Sequence, residues 1–507
     1  MTVIKKNVIA NYFGQIWTAL MGLAFVPLYI RYLGMEAYGL VGLFVMLQAW
    51  LTLLDMGMAP TLSREMARFG GGSRSAASIR DLLRSIELIA VVIAGGIALG
   101  IWAASHWLAT DWLQAEKLPV AQVARAFAIM GIVAALRFIE NIYRSSIIGL
   151  QRQVLLNTVT SIMATFRGLG ALAVLAWLSP TIEAFFLWQC LISISTLGVL
   201  IVAVYHALPA TSRSARFSWT ALVGIWGFAA GMIAITFLSL LLTQVDKILL
   251  SRLLPLEAFG YYALATTVAN ALYRLVQPIT QAFYPRFTEL VSRDDQTALI
   301  STYHRGAQLV TVLTGSAAVI LVFLGDVVLR LWTGDAALAQ RLAPLVALLA
   351  TGVLLNCLMH IPYQLQLAHG WTGLTVRINI VAVLILVPAI LWVTPRYGAI
   401  GTASVWLILN TGYVTIGIYL MHRRLIPDQK WCWYRQDLGL PLLLAAGTAL
   451  LLRQILPTEA GTWGRLASVL ITGGLVLLVA SLAAPVTRRQ ITRLMPARIK
   501  ALYPRMA

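Results

Sequence analysis

The chain is short of acid, of cysteine and of long polar stretches, and each shortage excludes a class of protein. Only 19 of its 507 residues are Asp or Glu against 38 Lys and Arg, and charged residues of both signs amount to 11%. Soluble domains carry about 25%, so a water-soluble globule is excluded. The three cysteines, Cys190, Cys357 and Cys432, form no CxxC pair, which leaves neither a disulfide frame nor a cysteine metal site. No P-loop, HExxH or GxSxG and no metal-ligand cluster occurs, so nothing points to an ATP-driven pump, an enzyme or a cofactor. No gap between apolar stretches is long enough for a folded soluble domain. Whatever the protein does, it does within or across a membrane.

What is present is apolar. Hydrophobic residues make up 60% and the mean hydropathy is +0.82, far more than a surface facing water tolerates. A helix needs about 20 apolar residues to cross a bilayer. That ruler gives fourteen spans centred near residues 20, 50, 95, 133, 165, 195, 236, 272, 315, 352, 382, 408, 446 and 472. The expected fold is an all-α polytopic membrane protein.

Basic residues orient it. Of the 38 Lys and Arg, 25 lie in one alternating set of gaps, 9 in the other, and 4 (Arg137, Arg167, Lys247 and Arg274) inside spans. Cytoplasmic loops carry the Lys/Arg excess, so both termini are expected in the cytoplasm. A net charge of +19 in a soluble chain would point to nucleic acid. Here the excess sits beside the spans, where anionic headgroups attract it, so membrane lipids and no nucleic acid are the expected partners. Lys5-Lys6 precedes a stretch broken by Asn11, Gln15 and Thr18 without a cleavage site, and is read as an uncleaved first helix. The tail from Arg488 to Arg505, with Ile491, Leu494, Ile499 and Leu502 interleaved, fits a basic amphipathic helix on the inner leaflet.

A repeat appears when the ends of spans 1 and 7 are laid together. Arg31 meets Arg252, and Leu33-Gly34-Met35-Glu36-Ala37-Tyr38-Gly39 meets Leu254-Pro255-Leu256-Glu257-Ala258-Phe259-Gly260. Each Glu suits the positive start of the following helix. Six spans separate the copies, so the halves share orientation, one of the known transporter plans. The expected division is an N-lobe 1–209, a C-lobe 210–430, and spans 13 and 14 with the basic tail at 431–507.

Ionisable groups at bilayer depth are costly and mark candidate sites. Span 8 carries Thr266, Asn270, Arg274, Gln277 and Gln281 at helical spacing, one polar stripe with a cation at its middle. Span 7 offers Asp246 beside Lys247. Span 4 carries Arg137, Glu140 and Arg144 on one face, span 5 has Asn157, Ser161 and Arg167, and span 2 has Gln48, Thr52 and Asp55. These stripes fit either a wet, partly cationic cavity for an anionic, hydrogen-bonding cargo or structural clamps such as Arg137 with Glu140. Tyr12, Trp17, Trp50 and Tyr273 are sugar-stacking platforms or packing, and His360 is a proton shuttle or an interior histidine. Pro27, Pro60, Pro278, Pro362 and Pro388 mark bends.

Asn7 to Gly39 with its PLYIRYLGMEAYGL run, Asp55-Met56-Gly57 with Leu62-Ser63-Arg64-Glu65, Gln244 to Leu250, and Tyr397 to Ala403 resemble the polysaccharide transporter (Wzx-type flippase) family. That family lies in the multidrug/oligosaccharidyl-lipid/polysaccharide (MOP) exporter superfamily. The resemblance implies two six-helix lobes with alternating access. Its cargo would be undecaprenyl-pyrophosphate-linked oligosaccharide, carried from the inner to the outer leaflet of a bacterial cytoplasmic membrane. Arg167 and Arg274, with Arg137, Arg144 and Lys247, would then meet pyrophosphate or acidic sugars, and Asn270, Gln277 and Gln281 sugar hydroxyls. Asp55, Asp246 and Glu140 would be ion-coupling candidates, and other polysaccharide assembly proteins the remaining partners. A lipid II flippase and a cation-coupled drug exporter share this superfamily, and a membrane polysaccharide polymerase or ligase is the rival from another class. Drug exporters often carry a carboxylate in the first helix, and span 1 has none. A polymerase is expected to carry a sizeable basic outer loop, and none is present.

Overall fold

Lipid offers no hydrogen bonds to an open backbone, so a chain of apolar runs folds as helices that satisfy their own amides. The computed structural model describes residues 3–55, 58–70, 75–209, 213, 215–219, 226–371, 373–456 and 461–494. No β-strand occurs among them; one isolated bridge joins Gln114 and Pro255.

The helices in chain order are α1 (Val3–Ala24), α2 (Val26–Leu33), α3 (Met35–Leu51), α4 (Met58–Gly70), α5 (Ala76–Trp107), α6 (Val120–Gly149), α7 (Gln153–Ala173), α8 (Ile182–Ala207) and α9 (Trp226–Leu253). They continue as α10 (Leu256–Ser292), α11 (Gln296–Phe323), α12 (Gly325–Thr333), α13 (Ala336–Leu358), α14 (His360–Ala368), α15 (Gly373–Gly412), α16 (Ile418–Leu425), α17 (Leu440–Ile455), α18 (Thr462–Ala483) and α19 (Pro485–Leu494). Among the described residues eleven segments are long and apolar enough to cross a membrane. One of them, Gly373–Leu425, holds two helices joined at Gly398, whose φ of 59° with ψ of −148° favours glycine. The centres expected near 236 and 272 fall in α9 and α10, so each of the fourteen lies in a helix. The expected tail helix is described only as far as α19; residues 495–507, and the side chains of Lys5, Lys6, Tyr12 and Gln281, lie outside the described residues.

By packing, the chain divides into two compact units, Met1–Gly260 and Tyr261–Ala507. The division falls after Gly260 because α9 packs on α3 of the first unit. In that unit α6 lies between α5 and α8, and α1 pairs with α7. A run of aromatic contacts ties α2, α8 and α3: Phe25 on Tyr29 at 6.2 Å, Tyr29 on Phe185 at 5.1 Å, Phe185 on Phe186 at 5.2 Å and Phe186 on Phe44 at 5.3 Å between ring centroids. Such pairs add specific geometry to apolar burial. Buried Glu87 accepts hydrogen bonds from Tyr143 Oη at 2.8 Å and Tyr205 Oη at 2.8 Å, joining α5, α6 and α8.

The second unit is built on α11. Its apolar face meets α17 and α18 through Val312, Val319, Ala445, Ala449, Val476 and Ala480. Its polar face enters a buried network in which His304 Nδ1 lies 2.5 Å from Asp437 Oδ2, and Gln308 Nε2 donates to Asp437 Oδ1 at 2.8 Å. Gln308 Oε1 in turn accepts the backbone N–H of Val486 at 2.8 Å. The last helices are thereby pinned to α11 by both apolar and polar contacts. Removing one member of a buried charged pair typically costs about 3–5 kcal/mol. Asp437→Ala is therefore expected to lower the melting temperature of the purified protein in detergent, with Asp437→Asn losing less; an unchanged melting temperature would contradict the pinning.

Candidate functional site

Helix geometry sets the site. On α6, Arg137, Glu140, Asn141 and Arg144 recur every three or four residues and so share one face. α7 brings Arg167 to that face, α3 brings Gln48 and Leu51, and the turn after α3 brings Asp55. With Ala134 and Phe138 these residues line a cavity of about 300 Å³ within the first unit.

The three arginines are held differently. Arg137 donates from Nη1 to Gln48 Oε1 at 2.8 Å and from Nη2 to Gln189 Oε1 at 3.3 Å, and its guanidinium stands 5.1 Å from the centre of the Phe44 ring. Arg144 donates from Nε to Glu140 Oε1 at 2.6 Å and from Nη1 to Thr160 Oγ1 at 3.2 Å. Arg167 makes no hydrogen bond or ion pair with any described residue, and its Nε is buried without a partner. Around the same cavity Arg137 Nε, Gln48 Nε2 and Glu140 Oε2 are also buried and unpaired. Buried polar groups are rarely left so, and the set comprises three donors and one acceptor.

Charge here is unbalanced. Three arginines face two carboxylates, and both carboxylates have other work. Glu140 holds Arg144, while Asp55 accepts the Ala59 N–H at 3.2 Å from each oxygen and so caps the start of α4. The structure thus pairs Glu140 with Arg144 and gives Arg137 amide partners. Gln189, Phe44 and Thr160 are members that the stripes do not show; a single Gln in the apolar run Phe185–Leu191 was the available signal for the first.

The remaining expected residues lie elsewhere. Lys247 donates to Thr243 O and Gln244 Oε1, both at 3.0 Å, and Asp246 is half-buried in the first unit. Asn270, Arg274 and Gln277 are exposed on the second unit's stretch of α10. Two aromatics have their polar tips engaged, Trp17 Nε1 on Thr165 Oγ1 at 2.9 Å and Tyr273 Oη on Asn356 Oδ1 at 3.1 Å. His360 Nδ1 lies 3.2 Å from the Asn356 carbonyl one turn back. No group of three potential metal ligands is found among the described residues.

These environments separate the arginines by stability. Arg137→Ala strips two glutamine amides and is expected to cost about 1–3 kcal/mol. Arg167→Ala removes a guanidinium that has no hydrogen bond or ion pair and should leave the protein as stable as wild type or more so. Thermal unfolding in detergent distinguishes them, and an equal loss for both variants would contradict the assignment.

A family model described as polysaccharide biosynthesis protein matches residues 4–291. A protein of Shigella flexneri with the name "Putative O-antigen transporter" is 20% identical over 405 residues, which cover 80% of this chain and 94% of that protein. Among solved structures, the lipid II flippase MurJ in an inward closed conformation superposes with a TM-score of 0.68 at 12% identity, covering 96% of this chain and 99% of that one. An inward-facing multidrug resistance MATE family transporter of the MOP superfamily gives 0.67 at 13% identity, covering 82% of this chain and 96% of that one. The chain has the fold of the MOP-superfamily transporters and belongs to the polysaccharide biosynthesis protein family.

Proposed function

We propose that this protein is a flippase, not an enzyme, for undecaprenyl-pyrophosphate-linked oligosaccharide, the repeat unit of an O-antigen, capsule or exopolysaccharide. It moves this cargo from the cytoplasmic to the outer leaflet of a bacterial inner membrane, with both termini in the cytoplasm. The repeat halves 1–209 and 210–430 alternate access, and 431–507 is an addition whose α17 and α18 pack on α11.

The observation that carries this reading is Arg167, a guanidinium without a protein partner beside a cavity that has unpaired donors. A planar guanidinium matches phosphate oxygens two at a time, and charge-assisted hydrogen bonds of this kind exceed neutral ones. The unpaired Glu140 oxygen suits a sugar hydroxyl. Arg274, Asn270 and Gln277, exposed on α10, and Gln281 by its helical spacing are the second unit's own candidate polar contacts, while the polyprenyl tail stays in lipid. A cytoplasm-negative potential drives an anion outward by about 2.3 kcal/mol per charge per 100 mV. Asp55, Asp246 and Glu140 are the acids available for ion coupling, with Asp55 constrained by its capping role. The S. flexneri relative, by its name, favours an oligosaccharide cargo over lipid II.

The test uses cells lacking their own glycan flippase. Wild-type protein is expected to restore surface glycan, whereas Arg167→Ala and Arg274→Ala lower it at least tenfold at equal membrane abundance, a charged hydrogen bond being worth about 1.5–3 kcal/mol. Normal surface glycan from both variants would overturn the assignment. Rescue of cells depleted of their lipid II flippase, without glycan export, would move the cargo to lipid II.

A further inference from the structure

We infer that the strap at residues 113–119, gripped by Glu36 and Glu257, is a clasp that closes the outer ends of the two repeat copies and opens once per transport cycle. This rests on the transport reading and membrane orientation proposed above.

The repeat places Met35 opposite Leu256, Glu36 opposite Glu257 and Gly39 opposite Gly260. In the structure these matched copies touch each other. A Cβ built on Gly39 would lie 2.6 Å from the Leu256 carbonyl oxygen, and one built on Gly260 would lie 2.5 Å from the Met35 carbonyl oxygen. The contact is therefore reciprocal, as a local two-fold axis requires. Backbone approaches backbone there, with the Leu256 and Met35 side chains packed beside the glycines.

The strap crosses this contact, and the matched glutamates of both copies hold the same stretch of it. Glu36, only 5% exposed, accepts N–H groups from Glu116 at 2.8 Å, Lys117 at 2.9 and 3.1 Å and Leu118 at 3.4 Å. Glu257 forms an ion pair with the Lys117 ammonium. Beside them the Leu256 N–H donates to Gln114 O at 2.9 Å and Trp112 Nε1 to Ser251 Oγ at 3.1 Å. The two grips differ in kind. Glu36 binds backbone amides from a buried site, whereas the Lys117 side chain is 68% exposed, and exposed ion pairs are weak. On opening, the strap stays on α3 while the start of α10 gives up the Lys117 ion pair together with the Gln114 and Trp112 hydrogen bonds.

The experiment places cysteines at both ends of the weak grip, Lys117→Cys with Glu257→Cys, in the full chain with Cys190, Cys357 and Cys432 changed to Ala. Oxidation to the disulfide is expected to cut glycan export at least tenfold, with recovery on reduction. The same pair carrying spin labels, in purified protein without cargo, is expected to give two distance populations by pulsed electron paramagnetic resonance. Undiminished export by the oxidised protein, or a single short distance, would overturn the clasp. The distance measurement needs no cargo, so a wrong cargo assignment would silence the export readout and leave the two populations in place.

Discussion

Arg167 sets the terms for the rest of the site. A guanidinium placed in the middle of a spanning helix is costly, about 2.5–3.5 kcal/mol on insertion scales, and proteins normally offset it with a carboxylate or carbonyl. The neighbouring arginines have such offsets: Glu140 for Arg144, and two glutamine amides with an aromatic face for Arg137. Arg167 faces the same cavity with no hydrogen bond or ion pair of its own, and the acid whose charge it feels, Glu140, is already bonded to Arg144. In the proposed function a transient anionic cargo supplies the missing bonds.

The surroundings explain how that state persists. Aromatic contacts from Phe25 to Phe44 join α2, α3 and α8, and the Glu87–tyrosine cluster joins α5, α6 and α8. Asp55, the other acid lining the cavity, is occupied by the α4 start. In the second unit the His304–Asp437–Gln308 network fastens α17 to α19 onto α11. The last helices are thus part of that unit's core by packing.

Much of the architecture was legible because lipid imposes a length and a composition on every span. All fourteen centres lie in helices, including α9 and α10 with their polar stripes. The face shared by Arg137, Glu140 and Arg144 followed from helical spacing alone. Spacing orders residues on one helix and is silent about which neighbouring helix arrives opposite, so the partners Gln48 and Gln189 and the capping role of Asp55 emerged only from the packing. The repeat announced Met35–Gly39 and Leu256–Gly260 as equivalents. Their mutual contact and the strap across them had no counterpart in the pattern, since residues 113–119 carry no matching motif.

Direct binding tests the central claim most closely. Native mass spectrometry of the detergent-purified protein with an undecaprenyl-pyrophosphate-linked oligosaccharide should show a one-to-one complex for wild type that weakens with added salt. Arg167→Ala should reduce its occupancy at least tenfold, a loss that Arg144→Ala, whose partner is Glu140, should not match. Equal occupancy in wild type and Arg167→Ala would contradict the account.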